Sequence, residues 1–252
     1  MSTILDSAAT ALQLIASSDT ALWAIVGRSL SVSATACLLA CGAGLVLGAW
    51  LGVARFAGRG AALALLNTLL AVLNTLLAVP AVVVGLVVYL VLSRSGPLGS
   101  LGWLFSFKAM VLAQMVLVLP VVMALTRQSI EDAERAHGEQ LRSLGAGTLV
   151  RGVLLAWDER YALLTVLIAA FGRAISEVGA VMIVGGNIDG FTRVMTTAIA
   201  LETSKGDLPL ALALGLILLV VVLALNVLIA LLRRWRERRD GAALDATLGV
   251  AA

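Results

Sequence analysis

The chain has 252 residues, of which 61% are hydrophobic and 13% are charged. Soluble domains carry about 45–50% apolar and about 25% charged residues, so an ordinary soluble domain is excluded. The mean hydropathy of +1.04 also excludes a disordered chain, because disorder requires low hydrophobicity and high charge. The composition therefore predicts an integral membrane protein.

The N-terminal segment does not have the pattern of a cleavable signal peptide. The first 27 residues contain Asp6 and Asp19 but neither Lys nor Arg, whereas a signal peptide begins with a positively charged region. We therefore expect residues 1–28 to remain as an external N-terminal segment ahead of the first span.

Charge-free runs predict the membrane spans, because a charge at the bilayer centre costs at least about 2.5 kcal/mol and a spanning helix needs about 20 apolar residues. Four such runs are long enough. A fifth candidate contains only Arg173 and Glu177, which are four residues apart and could neutralise each other on one helix face. The sequence thus predicts an all-α membrane protein with five transmembrane helices, at about 29–54, 62–92, 108–126, 161–184 and 208–232.

The second of these runs is too long for one straight crossing. Its 34 residues between Arg59 and Arg94 would extend about 51 Å as a helix, against a hydrocarbon core of about 30 Å. We predict that this helix kinks at Pro80. The repeated segment NTLLAV places Asn67 and Asn74 on one helix face, as a packing seam or as a polar stripe on a pathway.

The distribution of Lys and Arg predicts the orientation. With five alternating helices and a cytoplasmic 127–160 loop, twelve cationic residues lie inside and five outside, and Arg173 lies within the membrane. The positive-inside rule then places the N-terminus outside and the C-terminus in the cytoplasm. The stretch RRWRERR opens a basic cytoplasmic tail, 233–252, which suits an anionic inner leaflet, and nucleic-acid binding is not expected.

Composition excludes several chemistries. His137 is the one histidine, and the two lysines, Lys108 and Lys205, are followed by Ala and Gly, so the chain has neither an HExxH zinc motif nor a Walker A motif. Cys37 and Cys41 lie in one apolar run and are predicted to be small packing residues. We therefore expect no catalytic residue, no metal site and no cofactor on this chain.

The loop 127–160 carries 11 charges in 34 residues and is predicted to fold in water. Its leucines and valines recur at spacings of three to five, on both sides of Gly145, Ala146 and Gly147. This pattern predicts two short amphipathic helices joined at a glycine turn. Such a hairpin can insert into a groove on a partner and transmit its motion to the adjacent spans.

The segment EQLRSLG, residues 139–145, resembles the cytoplasmic EAA loop of binding-protein-dependent ABC import permeases. Glu139 and Gly145 match that pattern in kind and spacing. Gln140 and Leu141 replace its two alanines, and Leu155-Ala-Trp-Asp158 stands where Ile-x-Leu-Pro is expected. The resemblance implies that an ATPase contacts this loop through Glu139, Leu141, Leu144, Gly145 and Ala146.

The stretch FGRAISEVGAVMIVGGNIDGFTRVMTTAIALETSKGD, from Phe171 to Asp207, is similar to oxyanion permeases, and most of all to their tungstate (TupB-like) branch. With the 127–160 loop and the AVPAVVVGL stretch, the likeness extends from Trp23 to about Arg234. It implies a type I ABC importer permease in a prokaryotic plasma membrane. The implied partners are a second copy, two ATPase subunits that carry ATP and Mg, an external binding protein, and tungstate or a related oxyanion.

Alternatives stay open at this point. The ion could be molybdate, sulfate or another oxyanion. A secondary transporter would usually show two similar halves and intramembrane carboxylates, of which this chain has only Glu177. A channel is not excluded by periodicity.

Six residues are candidates for the translocation path or its gate. Arg173 and Glu177 either neutralise each other or serve an anion path. In the external loop 185–207, Thr192 is predicted to cap a short helix running to about Ser204, and neutral hydroxyls there suit a dehydrated oxyanion. The loop candidates are Asn187, Thr192, Thr196 and Thr197.

Overall fold

The computed structural model describes residues 4–17, 19–54, 58–75 and 81–249. Within those residues all regular secondary structure is helical. A single 3-10 turn, Gly99–Leu101, precedes the fifth α-helix. The α-helices are α1 (Ile4–Ala16), α2 (Thr20–Val53), α3 (Arg59–Thr75), α4 (Ala81–Leu92), α5 (Phe107–Ser143), α6 (Thr148–Asp158), α7 (Arg160–Ile175), α8 (Gly179–Gly185), α9 (Met195–Lys205) and α10 (Leu208–Gly249).

Three helices in the described part of the chain are long and apolar enough to cross a membrane: α2, α5 and the Leu208–Leu232 part of α10. A fourth span is formed if α7 and α8, which meet at a 58° bend, are counted together. The predicted span 62–92 is divided between α3 and α4, and Pro80, its predicted kink, lies outside the described residues. The chain is a multi-pass helical membrane protein.

Several helices continue past the predicted boundaries. Helix α2 begins nine residues early, because the Asp19 carboxylate accepts a hydrogen bond from the backbone N–H of Leu22 at 2.8 Å. Helix α10 continues to Gly249, and α1 forms within the predicted N-terminal segment. Because Arg, Lys and Glu are good helix formers, the loss of apolar character at a membrane surface does not by itself end a helix.

The largest correction concerns the 127–160 segment. Helix α5 runs without a break from Phe107 to Ser143, so the first predicted amphipathic helix is a continuation of the candidate span. Arg127 and Glu131, one turn apart at 3.1 Å, support the helix where it leaves the apolar region. Only the second element, α6, is a separate short helix.

Helices α2 and α5 form the centre of the fold. Gly44, Gly48 and Gly52 lie one turn apart on α2 and allow the closest approach to α5. A Cβ atom at Gly48 would lie 2.7 Å from the backbone oxygen of Met123. Cys37 and Cys41 are buried in the same contact region, where they pack with Val118 and Val122 of α5, and their sulfur atoms are 3.6 Å apart.

Candidate coupling hairpin and translocation path

The turn between α5 and α6 has the hydrogen bonds of a Schellman motif. Gly145 has a φ of +79°, the left-handed conformation that favours glycine. Its N–H donates to the backbone oxygen of Arg142 at 2.9 Å, and the N–H of Ala146 donates to that of Leu141 at 3.0 Å. The predicted glycine turn is confirmed, and Gly145 is the residue that ends α5.

A clasp of three charged side chains, Glu134, Arg142 and Arg151, closes the hairpin. The Glu134 carboxylate lies 2.6 Å from Arg142 Nη2 and 3.5 Å from Arg151 Nε. Arg142 and Glu134 both belong to α5, whereas Arg151 belongs to α6 and is buried, so the Glu134–Arg151 pair joins the two arms. Gly138 leaves room for them, because a Cβ there would lie 2.7 Å from the carboxyl carbon of Glu134.

Sequence reasoning missed this clasp. The signal was the spacing of Glu134, Gly138 and Arg142, each four residues from the next, which places a glycine between two opposite charges on one helix face. The contribution of Arg151 follows only from the folding back of α6.

Helix α6 is held to the rest of the chain by one face and leaves the other exposed. Leu155 is buried with Val53 and Ile130, which belong to α2 and α5. Leu149 and Trp157 are 80% and 71% exposed, and Val153 lies between them on the same face. With Leu144, which is 81% exposed at the turn, these side chains form an apolar edge, here defined as Leu144, Leu149, Val153 and Trp157.

The residues predicted to contact an ATPase divide into two groups. Glu139 and Leu144 are exposed and available to a partner. Leu141 packs inward against the cluster that contains Ile130, and Ala146 is half-buried. Gly145 shapes the turn, and nothing lies within 4 Å of the position that a Cβ atom would take there.

The fourth span is broken between α7 and α8. Helix α7 ends at Ile175, and one oxygen of the Glu177 carboxylate accepts from the N–H of Ala180 at 3.2 Å, as a cap of α8. The predicted neutralising pair of Arg173 and Glu177 is therefore wrong within the described structure, because the two residues are no longer one turn apart on a continuous helix.

Arg173 lies in the last turn of α7 and is half-buried. Its Nε atom is buried and finds no hydrogen-bond partner among the described residues. A cation in the last turn is favoured by the helix dipole, which contributes about 0.3–1 kcal/mol. The helix terminus, rather than a carboxylate, accounts for its position.

The helix in the 185–207 segment begins later than predicted. Thr192 does not cap it: its hydroxyl donates to the backbone oxygen of Gly185 at 2.5 Å and accepts from the N–H of Ile188 at 2.9 Å. Helix α9 starts at Met195, after Val194, whose N–H donates to the Thr197 hydroxyl at 3.1 Å. Thr192 therefore ties the chain back onto the end of α8.

The other candidates of this loop are also engaged in hydrogen bonds. The Thr196 hydroxyl donates to the backbone oxygen of Glu177 at 2.8 Å, which joins α9 to the break. Asn187 has a φ of +50°, and its amide nitrogen donates to the backbone oxygen of Thr197 at 3.3 Å. Arg193 lies 3.1 Å from Asp189 and 3.9 Å from Glu202, so carboxylates offset its charge.

Two buried polar residues that support the break were not predicted. Gln114 of α5 donates to the backbone oxygen of Ala174 at 2.9 Å, and the Ser29 hydroxyl of α2 accepts from the N–H of Met195 at 2.6 Å. Gln114 could have been noticed as the one amide in an otherwise apolar run between Lys108 and Arg127. Ser29 carries no such signal, because serine is common in membrane helices.

A scan against protein-family models found no match. The chain is 40% identical over 227 residues to a probable anion ABC transporter permease protein of Haloferax volcanii, covering 88% of this chain and 94% of that protein. It is 41% identical over 220 residues to the tungstate uptake system permease protein TupB of Peptoclostridium acidaminophilum, covering 87% of this chain and 93% of that protein.

A more distant relative is the molybdenum transport system permease protein ModB of Escherichia coli K12, which is 28% identical over 232 residues, or 86% of this chain and 93% of that protein. The two relatives at 40% and 41% identity extend through both the hairpin and the broken span. The chain therefore belongs to the family of anion ABC transporter permeases that includes the tungstate uptake permeases.

Proposed function

We propose that this chain is the membrane subunit of a tungstate importer. It acts as a homodimer, with an ATPase subunit on each 127–160 hairpin and an external binding protein that delivers the oxyanion. The tungstate uptake permease of Peptoclostridium acidaminophilum, 41% identical, supports tungstate over molybdate, for which the relative in Escherichia coli is 28% identical.

The observation that carries the proposal is the clasped hairpin with its apolar edge. Leu144, Leu149, Val153 and Trp157 are exposed in a segment too rich in charge to lie in hydrocarbon. Exposed apolar patches of this kind mark interaction sites. Because the Glu134–Arg151 ion pair fixes α6 against α5, and α5 continues as a span, a force on the hairpin reaches the membrane region without passing through a flexible loop.

We place the translocation path at the break in the fourth span. Arg173 supplies positive potential near the end of α7, and Glu177 shapes the start of α8. Asn187, Thr192, Thr196 and Thr197 build the external wall, mainly by hydrogen bonds to backbone groups. A weak site of this kind suits a permease, because a tight one would slow release.

The proposed topology has five spans, with α3 and α4 together forming the second and α7 and α8 the fourth. The N-terminus is external and the basic tail is cytoplasmic, on the twelve-to-five distribution of cationic residues. Five spans rarely enclose a pathway alone, whereas two copies related by a two-fold axis enclose one between them.

The proposal is tested by assembling the chain with the ATPase and binding protein of the same organism in proteoliposomes. We expect ATP-dependent accumulation of tungsten, measured by mass spectrometry, to exceed that of molybdenum or sulfur supplied as the matching oxyanions at equal concentration. Preference for molybdate or sulfate would change the substrate and leave the importer intact. Failure of any ATPase to co-purify would overturn the importer.

Arg173→Met should lower the rate of tungstate transport at least tenfold, which corresponds to about 1.4 kcal/mol in activation free energy. It should not reduce co-purification of the ATPase. Arg173→Lys, which keeps the charge, is the matched control and should retain most of the rate. Equal transport by both variants would remove Arg173 from the path.

A further inference from the structure

A small polar cavity lies behind the break in the fourth span. Its polar lining comes from Ser29 and Ser33 of α2, Gln114 of α5, Glu177 at the break and Thr196 of α9. The volume in which the centre of a water molecule can lie is about 10 Å³. One water requires about 10–15 Å³ by this measure, so the cavity has room for a single molecule.

The hydrogen-bond donors around the cavity are largely committed elsewhere. The Ser29 hydroxyl donates to the backbone oxygen of Ile25 at 3.1 Å, and the Thr196 hydroxyl donates to that of Glu177 at 2.8 Å. The Gln114 amide nitrogen donates to the backbone oxygen of Ala174 at 2.9 Å and lies 3.4 Å from the Ser33 hydroxyl.

These bonds fix the orientation of the Gln114 amide. Its nitrogen faces a carbonyl oxygen, which can only accept, so its Oε1 atom must point the other way. Gln114 is 3% exposed, and its Oε1 has no partner among the described residues. Buried polar atoms without a partner are rare and costly. Gln114, which lines the cavity, therefore has one oxygen atom, Oε1, that needs a donor.

We propose that one ordered water occupies this cavity. It donates to Gln114 Oε1 and completes its hydrogen bonds with the hydroxyl groups of Ser33 and Thr196, within the two to four partners usual for a buried water. This water joins α2, α5 and α9 at the point where the fourth span is broken. It goes beyond the transport function proposed above, since it holds the break in shape whichever ion is carried.

The sign of a stability change tests the proposal. Ser33→Ala leaves room for the water, whereas Ser33→Val places methyl groups in the cavity, displaces the water and leaves Gln114 Oε1 without a partner. We expect the melting temperature of the purified protein to be roughly 2–8 °C lower for Ser33→Val than for Ser33→Ala.

Ser31 provides the matched control. It lies on the exposed face of α2, and its hydroxyl donates to the backbone oxygen of Gly27, so Ser31→Val and Ser31→Ala measure the difference in helix propensity alone. If the cavity were dry, Ser33→Val would fill a void. The Ser33→Val protein would then be at least as stable as the Ser33→Ala protein, once the difference between the two Ser31 variants is subtracted. That result would overturn the proposal.

A map of the native protein at a resolution that shows ordered water gives a second, direct test. We expect density for one water at about 2.7–3.2 Å from Gln114 Oε1. An empty cavity would overturn the proposal. So would a metal ion, recognised by five or more oxygen ligands at shorter distances, because the site would then bind a cation.

Discussion

The Glu134 carboxylate forms ion pairs with two arginines, Arg142 of α5 and Arg151 of α6. Its side chain and that of Arg151 are only 11% and 10% exposed, so their charges are largely removed from water. Removing one partner of such a group leaves the other uncompensated, and this costs more than the pair contributes. Glu134 is therefore the residue on which the shape of the hairpin depends most.

We predict that Glu134→Gln destabilises the hairpin by about 3 kcal/mol, because Arg151 is left buried without its counter-charge. Limited trypsin digestion at Arg142 and Arg151 should become faster, and less ATPase should co-purify. The control is Asp132→Asn, which removes an exposed pair with Arg135 at 3.5 Å and should cost less than about 1 kcal/mol. Equal digestion of the two variants would show that the clasp does not hold the arms together.

A second prediction concerns Gly145, whose left-handed conformation costs other residues about 1–2 kcal/mol. Since a Cβ atom there would meet nothing within 4 Å, Gly145→Leu should still insert into the membrane and fold. Its side chain would project from the turn, strain it and obstruct the partner, so we expect loss of ATPase co-purification and of transport.

Gly147→Leu is the matched control, because Gly147 has a φ of −66° and also has open space at its Cβ position. It should retain clearly more ATPase than Gly145→Leu. If both variants co-purify with the ATPase as well as the native chain does, the hairpin is not the coupling element.

At the scale of the helices, the glycines of α2 determine how closely it approaches α5. At Gly44, Gly48 and Gly52 a Cβ atom would lie 2.7–2.8 Å from atoms of α5. Small residues at this spacing allow the backbones of membrane helices to come together, where there is little hydrophobic force to drive them. The α2–α5 contact is therefore one of close packing.

We predict that Gly48→Ala destabilises the protein by about 1–3 kcal/mol through overpacking against Met123 and Thr126. Gly42→Ala, on the same helix with open space at its Cβ position, is the control and should be neutral or slightly stabilising. The check is the melting temperature in detergent. A Gly48→Ala protein as stable as the Gly42→Ala protein would mean that α2 and α5 can separate without loss.

The contrast between α5 and the fourth span shows why one long helix continues and the other breaks. Helix α5 contains Pro120 and still runs for 37 residues. The fourth span breaks at residues 176–178, just before Gly179, where a Cβ atom would lie 2.5 Å from Val82 Cγ2 of α4. Gln114 of α5 and Thr196 of α9 donate hydrogen bonds to backbone oxygen atoms beside the break, so the break is stabilised by its neighbours.

At the scale of the whole molecule, the proposed orientation makes a prediction about accessibility. In a background with Cys37 and Cys41 replaced by Ala, a cysteine at Ala200 should react with an impermeant thiol reagent from outside intact cells. Cysteines at His137 and Asp240 should react only after the membrane is opened. His137 and Ala200 are both exposed in the structure, so burial would not mask the result. External labelling at position 137 would reverse the topology and remove the hairpin from the ATPase side.

The sequence by itself determined the membrane class, the all-α fold and the position of the glycine turn, because each depends on local composition. Apolar runs can be satisfied only by helices in a bilayer, and a left-handed residue after a helix favours glycine wherever it occurs. Motifs around Glu139 and from Phe171 onward also placed the chain in its family, which the relatives at 40–41% identity confirm.

Only the tertiary structure decided how the charged and polar side chains are paired. Arg173 and Glu177 fit an ion pair by spacing, but the break at residues 176–178 separates them, and the break itself depends on Gln114 and Thr196 from distant parts of the chain. Likewise, Arg151 meets Glu134 only because α6 folds back on α5. Local spacing predicts partners along one continuous helix, whereas buried polar groups bond to whichever group the packing brings within about 3 Å, and that depends on the whole fold.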